Sequence, residues 1–269
     1  MSIQTDFEKR FETEEYELLV LMKAGCRGAL HMGDMLRPSV NFLASVDLRT
    51  SELSQKLGRI EWLIKNEKKR AGWGYEFEQF EIYHVVVREA IDKSLEPCYM
   101  LVKVLQEKVQ NTALDELKEH YAKPVIIQNE LGEFKLDREF SVYEGYIDWN
   151  GAKAKIFLET DDDSDSAKSA MEALWKLVED LEEKDSRYRK HAAQELTSLA
   201  NEWLEESDEE EPEEITEEVF AERMEISEVS VSPDGSLSLF YDDDYMFWGH
   251  VIEIMVEADG EITTVGISG

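Results

Sequence analysis

Basic residues are few in this chain beside its acidic ones. Only 29 Lys and Arg stand against 61 Asp and Glu, a formal charge of −32 over 269 residues. A surface so acidic repels phosphate groups, which argues against nucleic acid and against anionic membranes as partners; a basic protein is the class of partner the charge favours. Cysteine is scarce as well. Cys26 and Cys98 are isolated and form no C-x-x-C pair, so neither a disulfide framework nor a thiolate metal site is expected. Long apolar runs are missing: Tyr16–Met22 and Tyr99–Val102 fall far short of the roughly 20 residues a membrane helix needs. The opening Met1-Ser2-Ile3-Gln4-Thr5-Asp6-Phe7-Glu8 has neither the basic nor the apolar region of a signal peptide, and the expectation is a cytoplasmic protein with reduced thiols. No P-loop, G-x-G-x-x-G, H-E-x-x-H or G-x-S-x-G sequence occurs, so no cofactor, metal or catalytic residue is expected.

What is present is enough to fold. Hydrophobic residues make up 42% and aromatics 10%, which is incompatible with global disorder. The charge is uneven. Residues 1–130 carry 18 basic against 22 acidic side chains, and residues 131–269 carry 11 against 39. Two modules are expected, over residues 1–123 and 125–269, in an α+β chain. The first combines an N-terminal helix with a small antiparallel sheet or barrel. The second is an antiparallel sheet with two to three helices packed on one face.

In the first module, Phe7, Phe11, Tyr16, Leu18, Leu19 and Met22 predict an amphipathic helix over 4–24, stopped by Gly25. Strands are predicted over Phe42–Leu48, Ile60–Ile64, Phe77–Arg88 and Tyr99–Leu105, with a turn at Gly72-Trp73-Gly74. Asn111–Tyr121 is predicted to be a helix with Leu114, Leu117 and Tyr121 on one face, ended before Pro124. In the second module, Phe134–Leu136, Val142–Asp148 and Ala152–Leu158 predict a meander, with Asn150-Gly151 in its second turn. One helix carries Met171, Leu174, Trp175, Val178 and Leu181; the next carries Tyr188, Ala192, Leu196, Leu199 and Trp203. The acidic tract Glu205–Glu214 is expected to be a solvated loop. Thr216 is expected to cap a short helix, and two hairpins, over 226–241 and 250–267, close the chain.

Few segments carry candidate chemistry. The histidines His31, His84, His120, His191 and His250 share no ligand spacing. Asp161, Asp163, Asp165 and Glu172 fall in an EF-hand-like register, but Ser166 stands where that loop needs glycine, so a helix cap is expected in place of a calcium site. Arg27 could activate the Cys26 thiol, although a buried inert thiol is the expectation. The segment that stands out is Asp242-Asp243-Asp244-Tyr245-Met246-Phe247-Trp248-Gly249-His250. Acids and aromatics gathered in one inter-strand connection are the composition of a recognition surface. Asp242, Asp244, Tyr245, Phe247, Trp248 and His250 are its candidate binding residues. The competing expectation is that Phe247 and Trp248 plug the sheet edge while the aspartates face water.

Residues 125–269 resemble a bacterial family that carries an uncharacterised C-terminal domain of unknown function. The resemblance rests on Leu131-Gly132-Glu133-Phe134-Lys135-Leu136-Asp137-Arg138, Tyr143-Glu144-Gly145-Tyr146-Ile147-Asp148-Trp149 and Ile215–Met224, then Val231-Ser232-Pro233-Asp234-Gly235 and Phe247-Trp248-Gly249-His250. Tyr83–Arg88 and Tyr99–Leu105 resemble the segment that accompanies it. The resemblance implies no activity and assigns no functional residue. By analogy with small acidic α+β immunity proteins, the expected function is a non-catalytic interaction module, immunity-like or an adaptor, with an acidic surface. A small-molecule or ion-binding domain is the alternative, and an enzyme of unrecognised type the third.

Overall fold

A computed structural model describes residues 2–67, 71–94, 96–161, 165–205 and 214–269. The chain forms two compact units, Met1–Lys123 and Pro124–Gly269. None of the described helices is long and apolar enough to cross a membrane.

The first unit is built on strands β1 (Tyr16–Met22), β2 (Ala29–Met32), β3 (Met35–Asp47), β4 (Glu52–Ser54), β5 (Gly58–Glu61), β6 (Ile64–Lys65), β7 (Ile82–Glu89) and β8 (Cys98–Gln106). Five of them close a barrel. β1 pairs with both β3 and β7, β7 with β8, β8 with β5, and β5 with β3. Every pair is antiparallel except β5–β8. Numbered along the chain, the barrel strands run 1-2-3-5-4-1, the Greek-key order of OB-fold barrels. Tyr16, Leu18, Val20, Phe42, Ile60, Trp62, Tyr83, Val85 and Val87 fill one core. Helix α1 (Ile3–Glu8) leads to a small cluster of Phe7, Phe11 and Ala90. Helix α2 (Thr112–Ala122), capped by Asn111, lays Leu114, Leu117 and Tyr121 over Leu19, Leu21, Ala44 and Val46.

That second cluster explains why the helix predicted over 4–24 is wrong. Only residues 3–8 are helical, and Tyr16–Met22 is a strand. Leu18, Val20 and Met22 face one core, while Leu19 and Leu21 face the other. A strand buried on both sides reads as an unbroken apolar run, which periodicity cannot tell from a buried helix. Gly25 is correspondingly no helix cap; a Cβ there would stand 2.7 Å from the Phe77 carbonyl oxygen, so close backbone packing requires glycine. Two strand expectations shrink as well. Residues 77–81 form the approach to β7, with Phe80 in the left-handed region at φ 58°. Ile60–Ile64 divides into β5 and β6, which pair with β3 in one register; opposite Trp62 stands Pro38, whose carbonyl accepts the Trp62 N–H but which has no N–H to donate back.

The second unit is one eight-stranded sheet in the order β16-β15-β14-β13-β12-β11-β10-β9. Its strands are β9 (Ile126–Asn129), β10 (Gly132–Asp137), β11 (Val142–Trp149), β12 (Ala152–Glu159), β13 (Glu225–Val231), β14 (Leu237–Asp242), β15 (Val251–Val256) and β16 (Ile262–Ser268). The β11–β12 turn has Asn150 at φ 53° and Gly151 at φ 91°, the paired left-handed residues of a type I′ hairpin. Between β12 and β13 come α3 (Lys168–Glu179), α4 (Leu181–Glu205) and α5 (Glu217–Arg223). This crossover brings the chain back so that β12 and β13 pair parallel, a departure from the antiparallel expectation that β5–β8 also makes in the first unit. Alternate residues of the central strands, such as Ala154, Ile156, Val229, Leu239, Tyr241 and Ile254, form a single core with Ala170, Leu174, Tyr188, Ala192 and Phe220 of the helices. Thr216 caps α5 by accepting the Val219 N–H. Of the loop expected over Glu205–Glu214, Glu205 ends α4 and residues 206–213 lie outside the described residues.

Burial holds six phenols above their ordinary ionisation range: Tyr16, Tyr83 and Tyr99 in the first unit, and Tyr143, Tyr188 and Tyr241 in the second. In the unfolded chain they ionise near about 10. The folded state therefore favours the neutral form, and its stability is intact below that value and lost as pH rises toward the folded-state values. Alkaline titration should show these six tyrosinates, by absorbance near 295 nm, only together with loss of the far-ultraviolet dichroism of the fold. Their ionisation in a chain with native dichroism would contradict this.

Candidate functional site

The connection between β14 and β15 is organised around Asp243, the middle of three consecutive aspartates. Asp243 is buried. Its carboxylate accepts the N–H groups of Tyr245 at 3.2 Å, Phe247 at 2.6 Å and Gly249 at 3.3 Å. Backbone bonds from Met246 to Asp243, Trp248 to Tyr245 and His250 to Phe247 complete a run of tight turns. Three bulky or charged residues adopt left-handed backbone there: Asp244 at φ 45°, Tyr245 at 62° and Trp248 at 58°. Non-glycine residues in that region are strained, and the surrounding bonds have to hold them.

This winding sorts the predicted residues. Tyr245 and Trp248 project outward, 76% and 52% exposed. Phe247 goes the other way and is wholly buried, between Trp203 at 5.6 Å and Phe220 at 6.0 Å between ring centroids. It is therefore a core residue, not a contact for a partner. Trp203, near the end of α4, packs beside Trp248. Its ring stands 4.7 Å from Trp248 and 5.5 Å, edge-on, from His250. His250 is half-buried, and its Nδ1 lies 2.6 Å from the Phe247 carbonyl oxygen. A carbonyl can only accept, so Nδ1 carries the proton and fixes the ring. Asp244 is exposed, but Arg223 of α5 grips it through Nε to the carboxylate at 2.8 Å and Nη2 to the carbonyl at 2.7 Å. Asp242 is exposed and directly opposite Glu225, which is also exposed. Like charges facing across a sheet are destabilising, so stability does not account for this pair.

On the other side of α5 lies a groove of about 610 Å³ between α4 and α5. Glu182, Glu217, Glu218 and Glu222 give it a negative wall, against Arg189 and Lys190. At its floor Asp185 is buried and holds three donors. Oδ1 accepts the Trp149 indole N–H at 2.9 Å and the Tyr241 hydroxyl at 2.8 Å, and Oδ2 accepts Arg189 Nε at 2.7 Å. Arg189 also donates to the Met224 and Ala221 carbonyls. The groove and the aromatic turn thus flank one short helix, which offers Glu217, Glu218 and Glu222 to the first, and Phe220 and Arg223 to the second.

Sequence reasoning missed Asp243, Asp185, Arg189, Arg223 and Trp203. Nothing in three adjacent aspartates says which one turns inward, and Trp203 looked like one more residue of an apolar stripe. The calcium-like register dissolves into other bonds. Asp161 accepts the N–H groups of Lys168 and Ser169 at the start of α3, and Asp165 pairs with Arg138. Asp163 lies outside the described residues. Among the described residues no group of three or more His, Cys, Asp or Glu is placed to hold a metal ion. Cys26 and Cys98 are unpaired, and burial raises both thiols above their ordinary range, which opposes a reactive thiolate at either position.

No curated protein and no solved structure matches the chain. Residues 4–121, which contain the whole barrel, match a family described as a domain of unknown function, DUF7021. Residues 128–267 span the eight-stranded sheet, its helices and the aromatic turn, and over that stretch the chain belongs to the family described as an uncharacterized protein conserved in bacteria, DUF2262.

Proposed function

We propose that the C-terminal unit is a non-catalytic docking module, immunity-like or an adaptor, for a basic protein. The observation that carries this is the pair Tyr245 and Trp248, exposed on a strained turn that Asp243 holds rigid. Rigid aromatic anchors beside acidic groups give a partner both apolar area and charge complementarity, at little cost in ordering. Asp242 and Glu225 on one side of α5, and Glu217, Glu218 and Glu222 on the other, supply the negative field. A non-catalytic role is supported by Asp185, the buried carboxylate of the groove floor, whose bonds to Trp149, Tyr241 and Arg189 account for it as a structural network. The two unpaired cysteines support a reducing compartment, the cytoplasm. The groove, at about 610 Å³, is also of ligand size, which keeps a small cationic molecule as the second reading.

The test is capture from host lysate at low salt, run in parallel on three chains: wild type, Trp248→Ala and Asp242→Lys. A stoichiometric basic partner should be held by the wild type and released as salt rises. Trp248→Ala should weaken it by roughly 30-fold, the loss typical of a truncated aromatic anchor. Asp242→Lys should chiefly slow association and flatten the salt dependence. A partner held equally by all three chains would remove this surface from consideration.

A further inference from the structure

The barrel unit gathers three guanidiniums around one buried carboxylate. Glu61, the last residue of β5, is 1% exposed. Three guanidiniums converge on it: Arg10 Nη2 stands 2.7 Å from Oε1, with Arg37 Nε 3.6 Å and Arg59 Nε 4.0 Å from Oε2. Arg10 approaches off the hydrogen-bonding direction, so Oε1 is buried with a cation beside it but no aligned donor. One carboxylate can neutralise only one of three cations. The remaining positive charge repels itself at these separations.

Two of the three guanidiniums are accessible. Arg10 and Arg59 have side chains 41% and 44% exposed, and both line a cleft of about 830 Å³ bounded by β3, β5 and the β7–β8 connection. Asn41 adds an amide, and Ile91 an exposed apolar wall. Asp92 and Glu96 stand on the connection, and Asp92 is bonded to the Ser94 N–H and hydroxyl. Cys98, also in the lining, keeps its proton, because burial and the Glu61 charge both raise its thiol. The cleft is therefore equipped to bind and has no nucleophile.

We propose that this cleft binds the oxyanion end, phosphate or carboxylate, of a small ligand, with Arg10 and Arg59 as the binding residues and Glu61 holding their guanidiniums in place. Guanidinium forks match both oxyanions bidentately. Lys9, paired with Asp6, also lines the cleft, and Asp92 and Glu96 offset the charge that Glu61 leaves over; recognition therefore rests on the two accessible guanidinium forks, which suits a single anionic group. A nucleic-acid strand would need stacking aromatics as well as cations, and no aromatic side chain is among the described lining residues.

The test measures the melting temperature of the intact chain in inorganic phosphate, pyrophosphate and citrate, each against sodium chloride of equal ionic strength. Calorimetry follows on any anion that responds. Binding to the folded state raises the melting temperature saturably, and a dissociation constant below about 1 mM is expected. A response to pyrophosphate assigns a phosphate-bearing ligand, and one to citrate a carboxylate. Arg59→Ala, at the rim, should keep the far-ultraviolet dichroism of the fold and bind about tenfold more weakly, the loss of one charge-assisted contact. No saturable shift with any of the three anions, or an equal shift in Arg59→Ala, would make the cluster a structural ion network and overturn the proposal.

Discussion

Replacing Asp185 by alanine is expected to cost the C-terminal unit about 3–5 kcal/mol, the range for stripping one partner from a buried ion pair. The side chain sits where four elements meet. It binds Trp149 at the end of β11, Tyr241 of β14 and Arg189 one turn along α4, and Arg189 in turn holds the carbonyls at the end of α5. Trp149 and Tyr241 are fully buried. Without the carboxylate, the indole N–H and the phenol lose their acceptor, each at a cost of about 1–3 kcal/mol. Arg189 loses its counter-charge but retains partial access to solvent and two carbonyls, which places the total toward the lower end of the range. Asp185→Asn keeps an acceptor and the shape, but not the charge, and should cost about half as much. Urea unfolding of the intact chain, followed by tryptophan fluorescence, measures both. A loss under about 1 kcal/mol for Asp185→Ala would mean that the network contributes nothing net.

Two adjacent aromatics should behave oppositely. Phe247→Ala is expected to lose about 3–5 kcal/mol, the cost of emptying a large, fully buried ring site. Its neighbours Trp203 and Phe220 are anchored on α4 and α5 and cannot readily close the cavity. For a unit of this size that loss corresponds to a fall of roughly 10 °C in melting temperature. Trp248→Ala, half-exposed, should stay within about 1 kcal/mol of wild type. Calorimetric melting of the two variants separates them. Similar melting temperatures for both would mean that the turn does not sort these residues as described.

Much of the second unit was legible residue by residue. Asn150-Gly151, Thr216 and the alternation along β12 to β15 act through local backbone preference and a single buried face, so periodicity and turn chemistry suffice to locate them. The first unit was harder for one reason: its barrel has a core inside and a further apolar cluster outside, under α2. A strand sandwiched between the two, such as Tyr16–Met22, loses the alternation that marks a strand. The turn before β15 is legible in composition, but which of the two expectations for Phe247 and Trp248 applies to each is not, since two adjacent aromatics look alike until the backbone sends one inward.

Sequence alone determined the acidity of the second half, the division near Pro124, the α+β class and the place of the acidic aromatic connection, because composition and local periodicity are one-dimensional quantities. Only the tertiary structure decided that Asp243 and not its neighbours is buried, that Asp185 gathers Trp149, Tyr241 and Arg189, and that Arg10, Arg37 and Arg59 meet at Glu61. Those groups lie far apart along the chain, and the free energy of burying a charge depends on which partners the fold brings within a few ångströms, a quantity with no counterpart in sequence spacing.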